Sequence, residues 1–158
     1  MAKLNKLLKK SDEHSEQILN EIWEEEMKEE KEIEKIKYEI GYKNYIQLAL
    51  WSGQFLDMSV SDVRVGELVN YDRLKGTSFN WVQNEDEREK LQIIGYVAYF
   101  KMVNGFEKTL YMTKEQMENH FMKYSKTYAK NKSFYIAIFD EMAQRIIINI
   151  LLRKYLIN

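Results

Sequence analysis

The stretch QIIGYVAYFKMVNGFEKTLYM (92–112) decides the fold, because it holds two runs of strand-forming residues joined by Asn104-Gly105. Ile, Val, Tyr and Phe are enriched in strands, and an Asn-Gly pair between two such runs favours a type I′ turn. Alternation along the first run places Tyr96 and Phe100 on the same face. The sequence therefore predicts a β-hairpin in the middle of the chain.

Helical patterns lie on both sides of this hairpin. All six glycines fall between residues 41 and 105, and glycine costs about 1 kcal/mol in a helix interior. Downstream, Thr113 and Gln116 have the spacing of a capping box, and a wide apolar face over 134–155 predicts a last helix. Upstream, the Glu- and Lys-rich residues 12–35 have one narrow apolar stripe, which also predicts a helix.

The remaining segments are shorter and mixed. They predict a strand over 37–41, a helix over 42–51, a strand around 58–65 and a polar loop over 76–89. The expected fold class is therefore α+β: a small antiparallel or mixed sheet with a β-hairpin, packed by C-terminal helices, and an extended acidic N-terminal helix. We expect an acidic helical segment at 1–36 and an α+β core domain at 37–158.

Composition excludes several classes of function. The chain of 158 residues has no Cys and no Pro, and its two histidines, His14 and His120, are too few for a His-rich metal site. There is no apolar run of about 18 residues and no secretory signal, so a cytoplasmic protein without a membrane partner is expected. Phosphate-loop, dinucleotide-binding and nucleophile-elbow motifs are also missing. We expect no enzymatic activity, no cofactor and no metal.

Charge is distributed unevenly along the chain. Residues 1–40 hold 8 basic and 12 acidic groups, whereas residues 120–158 hold 7 basic and 2 acidic groups. Lys123, Lys126 and Lys130 have the spacing of one helical stripe, and tyrosines are interleaved with them. Such a basic and aromatic track suits single-stranded nucleic acid, which offers phosphates and base faces. A solvated lysine face beside a tyrosine core would produce the same pattern.

Four ordered blocks carry a family resemblance. They are IGYKNYIQLALWSGQF (40–55), VRVGEL (63–68), GYVAYFKMVNGFEKTLYMTKEQMENHFMKYSKTY (95–128) and FDEMAQRIIINILLRKY (139–155). Together they resemble the core of the RecT-type phage single-strand annealing recombinases. The resemblance covers about residues 37–156 and implies an α+β core that binds single-stranded DNA and anneals complementary strands without ATP.

The resemblance also implies site residues and partners. The implied partners are single-stranded DNA, the annealed duplex, further copies of the chain in a homo-oligomer, and a phage exonuclease or a host single-strand-binding protein. Position by position, the candidate DNA-binding residues are Lys43, Gln54, Lys101, Lys108, Lys123, Lys126, Lys130, Arg145 and Lys154.

The chain departs from the family pattern at several positions. Trp51 stands where the family has Arg before Ser-Gly, and Asn149 stands where it has a second Arg. The lobe that usually precedes this core and the acidic tail that usually follows it are not found in the sequence. The alternative hypothesis is therefore a non-annealing prophage remnant, or a protein-interaction module whose acidic N-terminal helix contacts a partner.

Overall fold

The computed structural model describes residues 2–40, 45–133 and 135–156 of the chain, which forms two units, Met1–Tyr38 and Glu39–Asn158. In chain order the elements are α1 (Ala2–Glu39), α2 (Tyr45–Ser52), β1 (Phe55–Arg64), β2 (Leu68–Asp72), β3 (Gly76–Phe79), α3 (Glu85–Glu89), β4 (Ile93–Met102), β5 (Glu107–Thr113), α4 (Lys114–Tyr124), α5 (Lys126–Lys130) and α6 (Ile136–Tyr155). This composition confirms the α+β prediction.

The first unit is a single helix over its described residues. Helix α1 continues through Glu39 and Ile40 lies in a turn, so the strand expected at 37–41 is wrong for its first four residues, and Gly41 lies outside the described residues. Glu and Lys are good helix formers, and an ion pair between Glu34 and Lys37 at 3.7 Å continues the i,i+3 pattern of the helix. These local preferences outweigh the β-branched residues near the end of the segment.

The main sheet is antiparallel, with strand order β1-β4-β5. Strands β4 and β5 form the predicted hairpin, in a register that pairs Lys101 with Glu107. The loop has three residues, Val103 to Gly105, and the Gly105 N–H donates to the Met102 carbonyl at 3.0 Å. The predicted two-residue type I′ turn is therefore wrong. Gly105 at φ 91° instead fits the bulged three-residue loop, where one glycine supplies the positive φ.

Strand β3 and the short helix α3 lie in the region 76–89, which the sequence predicted as a polar loop, and β3 pairs with β2 in a second hairpin. The Asp72 carboxylate accepts hydrogen bonds from the backbone N–H groups of Leu74 and Lys75, at 2.8 and 2.9 Å. Gly76 follows at φ 104°, a conformation that favours glycine. A turn stabilised by the Asp72 carboxylate thus joins the two strands.

The core lies between the sheet and the C-terminal helices. Tyr96 and Phe100 of β4 are fully buried, and α6 contributes Phe139, Ile147 and Leu152 to the same core. The Tyr96 hydroxyl donates a hydrogen bond to the Asp140 carboxylate of α6, which joins β4 to that helix. Desolvation and this hydrogen bond together raise the pKa of Tyr96.

Helix α4 begins as predicted, with the Thr113–Gln116 capping box formed in both directions. The helix ends at Tyr124, and Ser125 caps the separate helix α5 by accepting from the Tyr128 N–H at 3.0 Å. Tyr124 is 45% exposed at this turn of the chain. Residues 114–130 therefore hold two helices, α4 and α5.

Candidate nucleic-acid interface

A groove of about 960 Å³ opens between the turn of the β2–β3 hairpin, strand β5 and the last turn of α6. Its lining includes four cationic side chains: Arg73, Lys75, Lys108 and Lys154. These residues come from three segments that are far apart in the sequence. Small-molecule pockets are mostly apolar with a few polar groups, whereas four cations line this groove. Its chemistry fits a polyanion better than a small apolar ligand.

The carboxylates of the groove are engaged by neighbouring groups. Asp72 accepts from two backbone N–H groups of its own turn, and these hydrogen bonds hold the pKa of that carboxyl below its usual range. Glu107 accepts a hydrogen bond from the Tyr99 hydroxyl at 2.6 Å, which raises the pKa of Tyr99. With four cations against these two carboxylates, the groove carries an excess of positive charge.

Tyrosine rings lie among the cations. Tyr71 is 52% exposed and rests edge-on against Tyr111, with ring centroids 5.5 Å apart. Tyr155 is 37% exposed and packs against Phe100 and Phe106, at 5.2 and 5.6 Å. Each exposed ring is supported from behind by another ring. Supported and partly exposed rings of this kind can stack on nucleic-acid bases, which all offer a π-face.

A buried ionic cluster fixes the base of the β2–β3 hairpin. Glu67, fully buried, comes directly before β2, and its carboxylate accepts from the Arg64 N–H at 2.7 Å and the Val82 N–H at 3.1 Å. Its main-chain carbonyl accepts from the Asn80 N–H at 2.7 Å. Glu67 therefore joins the entry and the exit of the hairpin whose turn forms one wall of the groove.

Arg88 completes this cluster from α3. Its guanidinium donates to Glu67 at 2.9 Å and to the Asp62 carboxylate at 2.9 Å, and the ring of Trp81 lies 5.8 Å from its Cζ. Burial would raise the pKa of Glu67, but the hydrogen bonds from Arg88 and from two backbone N–H groups outweigh it and lower the pKa. The pKa of Asp62 is lowered by Arg88 and Arg64 in the same way, against desolvation. Both acids are therefore ionised in the folded protein at neutral pH.

Two of the residues predicted from the sequence line the groove. They are Lys108 on β5 and Lys154 on the last turn of α6. Lys101 lies on β4, where its neighbours across the two strand pairs are Asp57 and Glu107. An acid on each side compensates its charge locally, so its position favours sheet pairing over phosphate binding.

The predicted lysine stripe is divided by the break between α4 and α5. Lys123 lies on α4, with its Nζ 5.1 Å from the ring of Tyr124, while Lys126 and Lys130 are the first and last residues of α5. The single helical face assumed from their spacing is therefore wrong. The Glu39 carboxylate explains the break, because it accepts from Ser125 Oγ at 2.8 Å and from Thr127 Oγ1 at 2.7 Å.

The other predicted residues lie elsewhere. Gln54 lies between α2 and β1, where its carbonyl accepts from the Val103 N–H at 2.9 Å. Arg145 is exposed on α6. Lys43 falls outside the described residues. Within the described chain, the groove lining contains neither Gln54 nor Arg145.

Arg73, Lys75, Tyr71 and Tyr99 line the groove but were not predicted from the sequence. The available signal was the pattern Asp72 to Gly76, an aspartate followed four residues later by glycine. That pattern is typical of a turn between two strands.

Two further findings bear on function. In the part of the chain that the structure describes, no group of three or more acidic, histidine or cysteine side chains could hold a metal ion. Over the same residues, no helix has both the length and the apolarity to cross a membrane.

Comparison with known proteins agrees with the blocks found in the sequence. Residues 26–158 match the model of the RecT family. Over 121 residues the chain is 38% identical to the uncharacterized protein YqaK of Bacillus subtilis (strain 168), an alignment that covers 77% of this chain and 40% of that protein. The chain thus spans less than half the length of this relative. Because the family match covers most of the chain, the protein belongs to the RecT family.

Proposed function

We propose that this protein binds single-stranded DNA in the groove between the β2–β3 turn, β5 and the end of α6, and promotes annealing of complementary strands without ATP. The observation that carries the proposal is the convergence of four cations and four tyrosines on one groove. Membership of the RecT family supports the same function.

The groove chemistry accounts for binding that does not depend on sequence. Lysine and arginine side chains neutralise phosphates and release counterions, and phosphate contacts carry no base information. The tyrosines add stacking, which tolerates every base. Binding through phosphates and single ring contacts leaves base edges available for a second strand. Annealing then needs no covalent step and no nucleotide hydrolysis.

Salt dependence tests the groove directly. If Arg73, Lys75, Lys108 and Lys154 each neutralise one phosphate, the slope of log K against log salt is about −3, from about −0.7 per contact for a single strand. Affinity for a fluorescent oligothymidylate should then fall about 50-fold between about 50 and 200 mM salt. Fluorescence anisotropy with the whole protein measures this slope.

The double variant Lys108→Ala/Lys154→Ala should halve the slope, to about −1.4, because two of four contacts are removed. Lys90→Ala is the matched control, since Lys90 is exposed at the end of α3 and is not in the groove lining. An unchanged slope in the double variant would refute the groove. A slope that falls equally in Lys123→Ala/Lys126→Ala would move the interface to α4 and α5.

Annealing is measured by the loss of fluorescence when a dye-labelled strand pairs with a quencher-labelled complement. The wild type should accelerate pairing in the absence of ATP, and the double groove variant should lose most of the acceleration. If the wild type shows no affinity for single strands at about 50 mM salt, or an affinity that does not fall at higher salt, the DNA-binding proposal fails. A protein-interaction role for the acidic helix would then replace it.

A further inference from the structure

The turn of the β2–β3 hairpin carries an apolar side chain at its tip. Three residues, Arg73, Leu74 and Lys75, connect the paired positions Asp72 and Gly76. Leu74 is 94% exposed, more than any other large apolar side chain in the described part of the chain. All three turn residues line the groove. An apolar side chain therefore stands in water between two cations of the groove.

Hydrogen bonds and a glycine stabilise this tip. The Asp72 carboxylate accepts from the backbone N–H groups of Leu74 and Lys75, at 2.8 and 2.9 Å. Gly76 supplies the positive φ that closes the turn. The carboxylate of Glu67 fixes the base of the hairpin by binding the backbone at both of its ends. The fold thus sets the position of Leu74 before any ligand binds, which lowers the ordering cost of binding.

The surroundings of Leu74 indicate what could cover it. Its side chain contributes little to folding, because it is nearly as accessible to water as in the unfolded chain, whereas burial against a ligand would stabilise a complex. Arg73 and Lys75 on either side attract phosphates, so a polyanion is the ligand that reaches this tip. The apolar surfaces of a nucleic-acid strand are the faces of its bases. Leucine is among the apolar side chains that DNA-binding proteins insert between bases.

We propose that Leu74 inserts between two neighbouring bases of the strand bound in the groove, while Arg73 and Lys75 bind phosphates on either side of that step. This inference rests on the proposed function, since it requires that the groove holds single-stranded DNA. Insertion separates the two bases and costs part of their stacking energy. Burial of the leucine side chain offsets that cost, and the exposed ring of Tyr71 in the same groove can stack on one of the separated bases.

An inserted side chain predicts a modest preference among strands, although no base edge is read. Adenines stack on one another more strongly than thymines do, so opening one step costs more in oligoadenylate than in oligothymidylate. Phosphate contacts are the same on both strands and create no such difference. The wild type should therefore bind oligothymidylate more tightly than oligoadenylate, and Leu74→Ala should reduce this difference.

Fluorescence of 2-aminopurine tests the insertion, because this base emits weakly when it is stacked between neighbours and more strongly when a neighbour moves away. A single 2-aminopurine is placed in the middle of a short oligoadenylate, and its emission is read with the whole protein at saturation. Emission should rise on binding to the wild type and rise much less with Leu74→Ala. The variant should also bind about tenfold more weakly, as expected for the loss of a buried leucine side chain, with the salt slope of the wild type.

Two variants serve as controls. Leu74→Met keeps an apolar side chain of similar volume and should retain the emission of the wild type. Val69→Ala is the matched control, because Val69 is 65% exposed on β2 of the same hairpin but is absent from the groove lining. Far-UV circular dichroism with thermal melting establishes that each variant is folded. Leu74→Ala should melt like the wild type, because the side chain is exposed and alanine keeps the N–H that Asp72 accepts.

Leu74→Ala with the affinity and the emission of the wild type would overturn the insertion. So would a loss of affinity with unchanged emission, because the leucine would then contact the strand without entering a base step. An equal loss of emission in Val69→Ala would do the same. In each of these cases a wild-type salt slope of about −3 would leave the DNA-binding groove in place. A wild type that binds no single strand would instead remove the groove and the insertion together.

Discussion

Replacing Glu67 by Gln tests whether the buried ionic cluster holds the wall of the groove. The amide can still accept from the Arg64 N–H through its oxygen, but its NH₂ group then faces the Val82 N–H and Arg88 Nε, which are both donors. Removing one partner of a buried ion pair costs about 3–5 kcal/mol. Arg88 keeps Asp62 at 2.9 Å, so we expect a loss near the lower limit, about 3 kcal/mol.

Urea denaturation at pH 7 measures this loss, which corresponds to a fall in Tm of roughly 10 °C for a unit of this size. Glu107→Gln is the matched control, because Glu107 is exposed and the loss of its hydrogen bond to Tyr99 should change the free energy of unfolding far less. A Glu67→Gln variant within about 1 kcal/mol of the wild type would refute the reasoning.

The same substitution predicts a pH dependence. Because the pKa of Glu67 is lower in the folded protein than its ordinary value of 4.5, its contribution is fully present above about pH 4.5 and is lost as the pH falls through the folded pKa. The difference in unfolding free energy between the wild type and Glu67→Gln should therefore narrow from pH 7 to pH 3. A constant difference across that range would show that the charge of Glu67 is irrelevant to stability.

Two further substitutions separate local folding from binding. Thr113→Ala removes the side-chain acceptor of the α4 capping box and should lower the free energy of unfolding by about 1 kcal/mol in urea, whereas Thr109→Ala, at an exposed strand position, should lower it less. Tyr71→Ala removes an exposed ring from the groove and should weaken single-strand binding about tenfold, from about 1–3 kcal/mol per stacked base. The salt slope of Tyr71→Ala in fluorescence anisotropy should stay that of the wild type, because no phosphate contact is lost; a reduced slope would mean that the ring acts by positioning a cation.

Features set by local sequence could be predicted. The central hairpin, the capping box at Thr113 and the long helix α6 each depend on residues within one or two turns of one another. The loop of the β4–β5 hairpin nevertheless differed from the predicted two-residue turn, because an Asn-Gly pair occurs both in a two-residue turn and in a bulged three-residue loop. The existence and type of these elements followed from the pattern, whereas the loop length depended on the register of the strands.

Features set by distant residues could not be predicted. The β2–β3 hairpin has short and mostly exposed strands, and Arg88, 21 residues beyond Glu67, fixes its base. The break after Tyr124 follows from Glu39, which reaches Ser125 across 86 residues of sequence. A helical spacing of lysines says nothing about a carboxylate so far away. The predicted lysine stripe failed for this reason, although the capping box at the start of the same helix was correct.

The groove shows why charge counts along a sequence are a weak guide to a binding surface. Residues 120–158 carry the largest basic excess, yet the only residue from that range among the four groove cations is Lys154. The other three are contributed by the β2–β3 turn and by β5. Asp72 and Glu107 lie beside them in the sequence, so the net charge counted over these segments is small. Asp72 and Glu107 keep their charges while they accept hydrogen bonds from backbone N–H groups and from Tyr99, so the four cations leave the groove lining with a net charge of +2. Binding of a polyanion therefore depends on the cations that the fold brings together in the groove. The salt slope measures how many phosphates these cations neutralise, and the Lys108→Ala/Lys154→Ala variant tests that number.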